Sequence, residues 1–252
     1  MRMMAVINQK GGVGKTTTTL NLAHAMAQCN KKVLCIDLDP QAHLSAGFGF
    51  LDKSQYGIAG MLLEGMDFSS VVLPARENLD LIPAGERLGE LEHISQGGAK
   101  RGWLLRDAIS EHVQAYDYVF VDCPPSSGIL GMNALLATRE VLIPVSGDFF
   151  ALQGLSRLMS IFQHIENVLK TKTEKWVVLT RYQDRRRLAR DVRNKIVSYF
   201  PTHVYRTPIR ETVALAESPG FGQTIFEYQG KTNGALDYMS LANDVMQGKV
   251  MH

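Results

Sequence analysis

The sequence predicts a doubly wound, mainly parallel α/β sheet with helices on both faces. Short apolar runs recur along the chain, they are continuous rather than alternating, and helix-periodic stretches separate them. Continuous runs suit strands covered on both sides, and strands alternating with helices define a wound parallel sheet. The 252 residues suit one such domain, read over 1–252. Hydrophobic and charged shares of 45% and 21% are ordinary for a globular chain, and a net charge of +2 leaves any polyanion partner to local clustering. No apolar run approaches the roughly 20 residues that span a bilayer. The first strand begins too early to leave room for a signal peptide. Cys29, Cys35 and Cys123 lack metal-ligand spacing and read as packed, reduced thiols, which suits the cytoplasm.

In order, Met4-Ala5-Val6-Ile7 reads as the first strand. Residues 18–27 form a helix, with Leu20, Ala23 and Ala27 at helical spacing. Residues 33–37 are a second buried strand, and 44–65 a Gly-rich region with a short helix at 58–63. A strand at 79–83 is limited by Pro83, and helices at 86–94 and 104–113 are separated by Gln96-Gly97-Gly98. Residues 118–122, 141–145 and 176–180 are further strands, with helices at 128–137, 154–169 and 188–199. The remainder predicts a strand near 203–206, a short helix near 212–217 and a last helix at 236–246.

Between the first strand and the first helix lies Asn8-Gln9-Lys10-Gly11-Gly12-Val13-Gly14-Lys15-Thr16-Thr17. A glycine-rich strand-to-helix turn is the context a phosphate-binding loop requires. Glycine lets the backbone approach phosphate, inward amides form an anion nest, and the helix adds its positive end. Residues Gly11, Gly12, Val13, Gly14, Lys15, Thr16 and Thr17 are therefore candidate nucleotide contacts. Lys15 reaches the β- and γ-phosphates and the Thr16 hydroxyl ligates Mg2+. Asp122 closes an apolar strand, either as a Walker B carboxylate on the magnesium or as a turn aspartate; the loop upstream favours the former. Asp37 and Asp39 close another, where a γ-phosphate needs a group to orient the attacking water; Asp39 before Pro40 is also a common turn.

The loop departs from the usual phosphate-binding pattern. Gln9 stands where its first glycine belongs, and a second lysine, Lys10, follows. In this Lys10-Gly11-Gly12-Val13-Gly14-Lys15-Thr16 resembles the deviant Walker A signature of the ParA/MinD family of ATPases. The resemblance implies that Lys10 reaches the nucleotide of an opposite subunit, so that ATP is sandwiched in a homodimer. It implies that Asp37-Leu38-Asp39-Pro40-Gln41 is switch I, with Asp39 hydrolytic and Asp37 on the metal side. It also implies that Cys123-Pro124-Pro125-Ser126-Ser127-Gly128 is switch II, sensing the γ-phosphate. Two later segments, 148–154 and 207–218, resemble ParA-type partition proteins, and the second makes Pro208 a candidate adenine contact.

Residues 181–195 gather seven cations against two acids, far above the balance of the whole chain. Arg186, Arg190 and Arg193 are spaced so that one helical face presents all three. Such a stripe suits sequence-independent phosphate contacts, or is a solvated helix face. Some chromosomal relatives carry a DNA-binding arginine where this chain has Ala214. The resemblance implies a positioning ATPase with ATP and Mg2+ as cofactors, nonspecific DNA and a ParB-like or other activating adaptor as partners, and a nucleoid-associated location without membrane. Two alternatives share the loop. One is a MinD-like membrane-cycling ATPase, whose basic C-terminal helix is not matched by residues 243–252. The other is a metabolic or electron-transfer enzyme such as the nitrogenase iron protein, for which Cys123 lacks an evident partner.

Overall fold

Seven strands form one sheet: β1 Arg2–Val6, β2 Val33–Asp37, β3 Leu73–Arg76, β4 Leu79–Ile82, β5 Tyr118–Asp122, β6 Glu140–Ser146 and β7 Glu174–Thr180. They belong to a computed structural model that describes residues 1–50, 56–93, 98–126, 128–148 and 151–251. The order across the sheet is β3-β4-β2-β5-β1-β6-β7. Every pairing is parallel except that of β3 with β4. All residues of β2 and β5 are buried, as continuous apolar runs require when helices cover both faces.

Alternation within each strand divides the core in two. Ala5, Leu34, Ile36, Val119 and Val121 face one cluster, with Ile109, Leu130, Phe162 and Val192 from the covering helices. Met4, Val6, Val33, Cys35 and Phe120 face the other, with Leu20, Met26, Ile225 and Leu241. The helix Lys15–Gln28 is buried nearly all round, between the sheet and the helix Asn233–Gln247. Its contacts include Thr18 Oγ1 with the Tyr238 hydroxyl at 3.2 Å.

The elements depart from the sequence reading where local chemistry was outvoted. The first helix starts at Lys15, three residues before the 18–27 span expected from sequence, because Gly14 takes a left-handed conformation and turns the chain into it. The strand β3 was not anticipated; it is an edge strand, where Pro74 does no harm. Short helices at His43–Gly47, Phe68–Val71 and Ile225–Gln229 fall below the length that periodicity detects. Among the described residues of the 86–94 segment only Glu90–His93 is helical, and the 104–113 helix stops at Ile109. The strand near 203–206 reduces to two isolated bridges, Val177 with Val204 and Tyr205 with Val250. The long helix begins at Ala151 and the basic one at Arg187. Ile94, Gln96, Gly97, Ser127, Phe149 and Phe150, which entered the sequence reading, lie outside the described residues.

After β4 the chain presses against the start of the helix Gly57–Glu64, where Ile58 N donates to Pro83 O at 2.7 Å and Ala59 N to Ala84 O at 3.1 Å. Gly85 has φ +79°, and a Cβ there would collide with the Tyr56 carbonyl. Gly85→Ala is therefore expected to lower the urea-unfolding free energy by about 3 kcal/mol or more. Gly65 shares the left-handed conformation with nothing within 4 Å. Gly65→Ala should lose only about 1–2 kcal/mol. Equal losses would mean that the close approach is not part of the folded state.

Candidate nucleotide site

The loop 7–14 leaves β1 at the carboxyl end of the sheet, flanked by the ends of β5 and β6. Gly12 and Gly14 have φ +72° and +86°. At Gly14 a Cβ would meet only Thr180 at 3.9 Å, so the demand for glycine is conformational rather than steric. Two side chains that the sequence reading missed hold the loop. Asn8, buried, donates from Nδ2 to Pro144 O at 2.8 Å and accepts from Lys10 N at 3.0 Å. Thr180 Oγ1 donates to Val13 O at 2.7 Å. A buried polar residue at a strand end was the available signal for both.

The strand register sets Asp37 beside Asp122. Thr16 Oγ1 donates to Asp122 Oδ2 at 2.7 Å and Thr19 Oγ1 to Asp122 Oδ1 at 3.1 Å. These hydroxyls, three residues apart on one helix, share a face. Asp37 accepts from Asp39 N at 3.2 Å, Ser45 N at 2.8 Å and Ser45 Oγ at 2.7 Å, so its carboxylate also anchors the start of the His43–Gly47 helix. Burial pushes both carboxyls above the ordinary range, and each lies near another negative charge, Asp37 for Asp122 and Asp39 for Asp37. Hydroxyl and carboxylate oxygens converging with a deficit of positive charge fit a hard cation such as Mg2+. Thr16 and Asp122 are the residues that would hold it, with Asp37 behind them.

Lys15 is buried at the loop's end, its pKa lowered by desolvation and partly restored by Asp122 and Asp39. Asp39 is buried and accepts from Gln41 N at 2.9 Å through Oδ1. Lys10 pairs with Asp148, its Nζ 2.6 Å from both carboxylate oxygens, and Ser146 Oγ also contacts Asp148 Oδ2 at 2.6 Å. Cys123 is a packed thiol with Sγ 3.5 Å from Val121 O. Among the described residues no group of three or more His, Cys, Asp or Glu side chains converges as a metal cluster.

A cavity of about 320 Å³ continues from the loop, lined at one end by Gly12, Gly14 and Thr17 and at the other by Ile209, Arg210, Glu211 and Thr212. Pro208 precedes this wall and is not among the lining residues. Arg181, assigned by sequence to the basic cluster, belongs here. Its guanidinium donates to Glu211 at 2.9 and 2.7 Å and to Gly12 O at 3.4 Å.

The arginine stripe is less uniform than its spacing implies. The helix Arg187–Tyr199 buries Ala189, Val192 and Ile196. Arg186 is its N-cap in extended backbone, one residue before the first turn. Arg190 bends back, with Nη1 2.6 Å from Asp184 O. Arg193 is half-buried on the flank of the helix.

Loop, hydroxyls, carboxylates and cavity together define a P-loop nucleotide-binding protein of the deviant Walker A type. An AAA domain family profile matches residues 1–175. The chromosome partitioning protein ParA of Caulobacter vibrioides is 37% identical over 255 residues, covering 98% of this chain and 94% of that protein. The sporulation initiation inhibitor protein Soj of Bacillus subtilis is 37% identical over 248 residues, covering 97% and 98%. A crystal structure of cobyrinic acid a,c-diamide synthase from Mycobacterium smegmatis, with bound ATP analog and magnesium, superposes with a TM-score of 0.83 at 28% identity, covering 98% and 95%. The chain belongs to the ParA/Soj family of partition and positioning ATPases.

Proposed function

We propose that residues 1–252 form one ATPase domain that dimerises around ATP and Mg2+, binds DNA without regard to sequence, and positions DNA or other cargo. Hydrolysis is stimulated by a ParB-like or other adaptor, and the protein is cytoplasmic and nucleoid-associated. The observation that carries the reading is the convergence of Lys15, Thr16, Asp39 and Asp122 at adjoining strand ends. Loop amides and Lys15 hold the phosphates, and Thr16 with Asp122 holds the metal. Mg2+, when bound, would supply positive charge that offsets the charge of the triphosphate. Asp39 orients the attacking water. Lys10, in the family's manner, leaves Asp148 for the nucleotide of a second copy.

The membrane-cycling alternative draws less support. The last helix buries Leu241 and Val245 in the core, so those apolar positions are not presented to a membrane surface. The test is co-sedimentation with a random-sequence duplex or with anionic vesicles, with and without ATP, alongside phosphate release and gel-filtration mass. ATP-dependent DNA binding with a doubled mass is the expected result. Binding to vesicles alone, or no turnover, would overturn the reading.

A further inference from the structure

The helix Asn233–Gln247 ends at Gly248, whose φ of +64° reverses the chain onto residues 204–206. Met251 N donates to Val204 O at 2.8 Å and Arg206 N to Lys249 O at 3.4 Å, while Tyr205 and Val250 form an antiparallel bridge. That register sets Arg206 directly across from Lys249. Like charges facing each other across an antiparallel pair are destabilising.

Around this pair opens a groove of about 570 Å³, lined by Arg193, Arg206, Gly248, Lys249, Val250 and Met251. Three of the six are cations and none is an acid. Among the described residues none of the three cations forms an ion pair. The nearby Asp244 carboxylate accepts at Oδ2 from Thr207 N and Oγ1, at 2.8 and 2.6 Å, and forms no ion pair with these cations among the described residues. The carboxyl end of the last helix favours one cation at Lys249, but it does not account for three.

We propose that this groove seats the phosphodiester backbone of duplex DNA, with Arg193, Arg206 and Lys249 as the contacts. The inference rests on the DNA-binding reading above and relocates its surface. Of the sequence stripe only Arg193 reaches the groove, whereas Arg190 is turned to Asp184 and Arg186 lies near the Glu211 charge. Unpaired guanidinium and ammonium groups at a groove's rim meet successive phosphates and read no base.

The experiment measures anisotropy of a labelled random-sequence duplex with full-length protein and Mg-ATP over a salt series. Wild type is compared with Arg193→Gln/Arg206→Gln/Lys249→Gln and with Arg186→Gln/Arg190→Gln, circular dichroism certifying each fold. The groove variant should flatten the log-log salt slope by about 0.9 per lost contact, and the stripe variant should leave it near wild type. Should the triple variant not fold, the exposed single change Lys249→Gln carries the same expectation for one contact. Unchanged slopes in the groove variant, or an equal loss in the stripe variant, would overturn the groove while leaving DNA binding standing. Absence of DNA binding by wild type would overturn both. A parallel arm with phosphatidylglycerol vesicles separates sources of phosphate: a groove variant that loses vesicle binding but keeps its DNA slope refutes the assignment.

Discussion

Asp39→Ala is expected to bind Mg-ATP but to turn it over about 100-fold more slowly or worse, and to accumulate as an ATP-bound dimer. A positioned group that orients or deprotonates the attacking nucleophile contributes about 10²- to 10⁴-fold. Asp39 is buried near Lys15, its backbone set by Pro40 and its Oδ1 by Gln41 N. Asp37 and Asp122, by contrast, have both carboxylate oxygens occupied by Ser45, Asp39 N, Thr16 and Thr19. Among these three acids Asp39 alone keeps an oxygen without a hydrogen bond among the described residues. The loss should fall on kcat with little change in nucleotide affinity, the signature of a contact made in the transition state. Phosphate release and gel-filtration mass with ATP decide it. Wild-type turnover in Asp39→Ala would remove this residue from the mechanism.

The second large effect separates the two lysines. Lys15→Ala removes a buried cation from the phosphate site and should weaken ATP binding by about 2–5 kcal/mol, measured by equilibrium titration. Lys10→Ala should leave monomer affinity nearly unchanged and abolish the ATP-dependent dimer. The two lysines face different partners here: Lys15 faces Asp122 and Asp39, and Lys10 faces Asp148. Both groups of the Lys10–Asp148 pair are more than a third exposed in their side chains, at 34% and 46%. Such a pair is worth about 0–1 kcal/mol after screening, so a triphosphate across a dimer face outcompetes it. Equal losses of nucleotide affinity in the two variants would contradict the division of roles.

Much of the candidate site was legible because it is contiguous. The phosphate loop needs glycine at left-handed positions, a lysine and a hydroxyl, all within ten residues, and no partner from elsewhere is required to recognise it. Asp37 and Asp122 were legible because each ends a continuous apolar run, and such runs end at the ligand side of a parallel sheet. The basic stripe misled by the same logic. Spacing alone placed Arg186 on a helix that starts one residue later, and it could not register that Arg190 bends back to Asp184.

By itself the sequence determined the sheet's character, the loop with its two lysines, and the acids at the strand ends, since all of these are local patterns of side-chain type and spacing. Only the tertiary structure decided the strand order that sets Asp37 beside Asp122, the grip of Thr16 and Thr19 on one carboxylate, and the pairing of Lys10 with Asp148 across 138 positions. It also moved Arg181 to the nucleotide cavity and brought Arg206 opposite Lys249. Those contacts join segments far apart in the chain, and their partners are selected by the packing of two helical layers on one sheet, which no short-range pattern encodes.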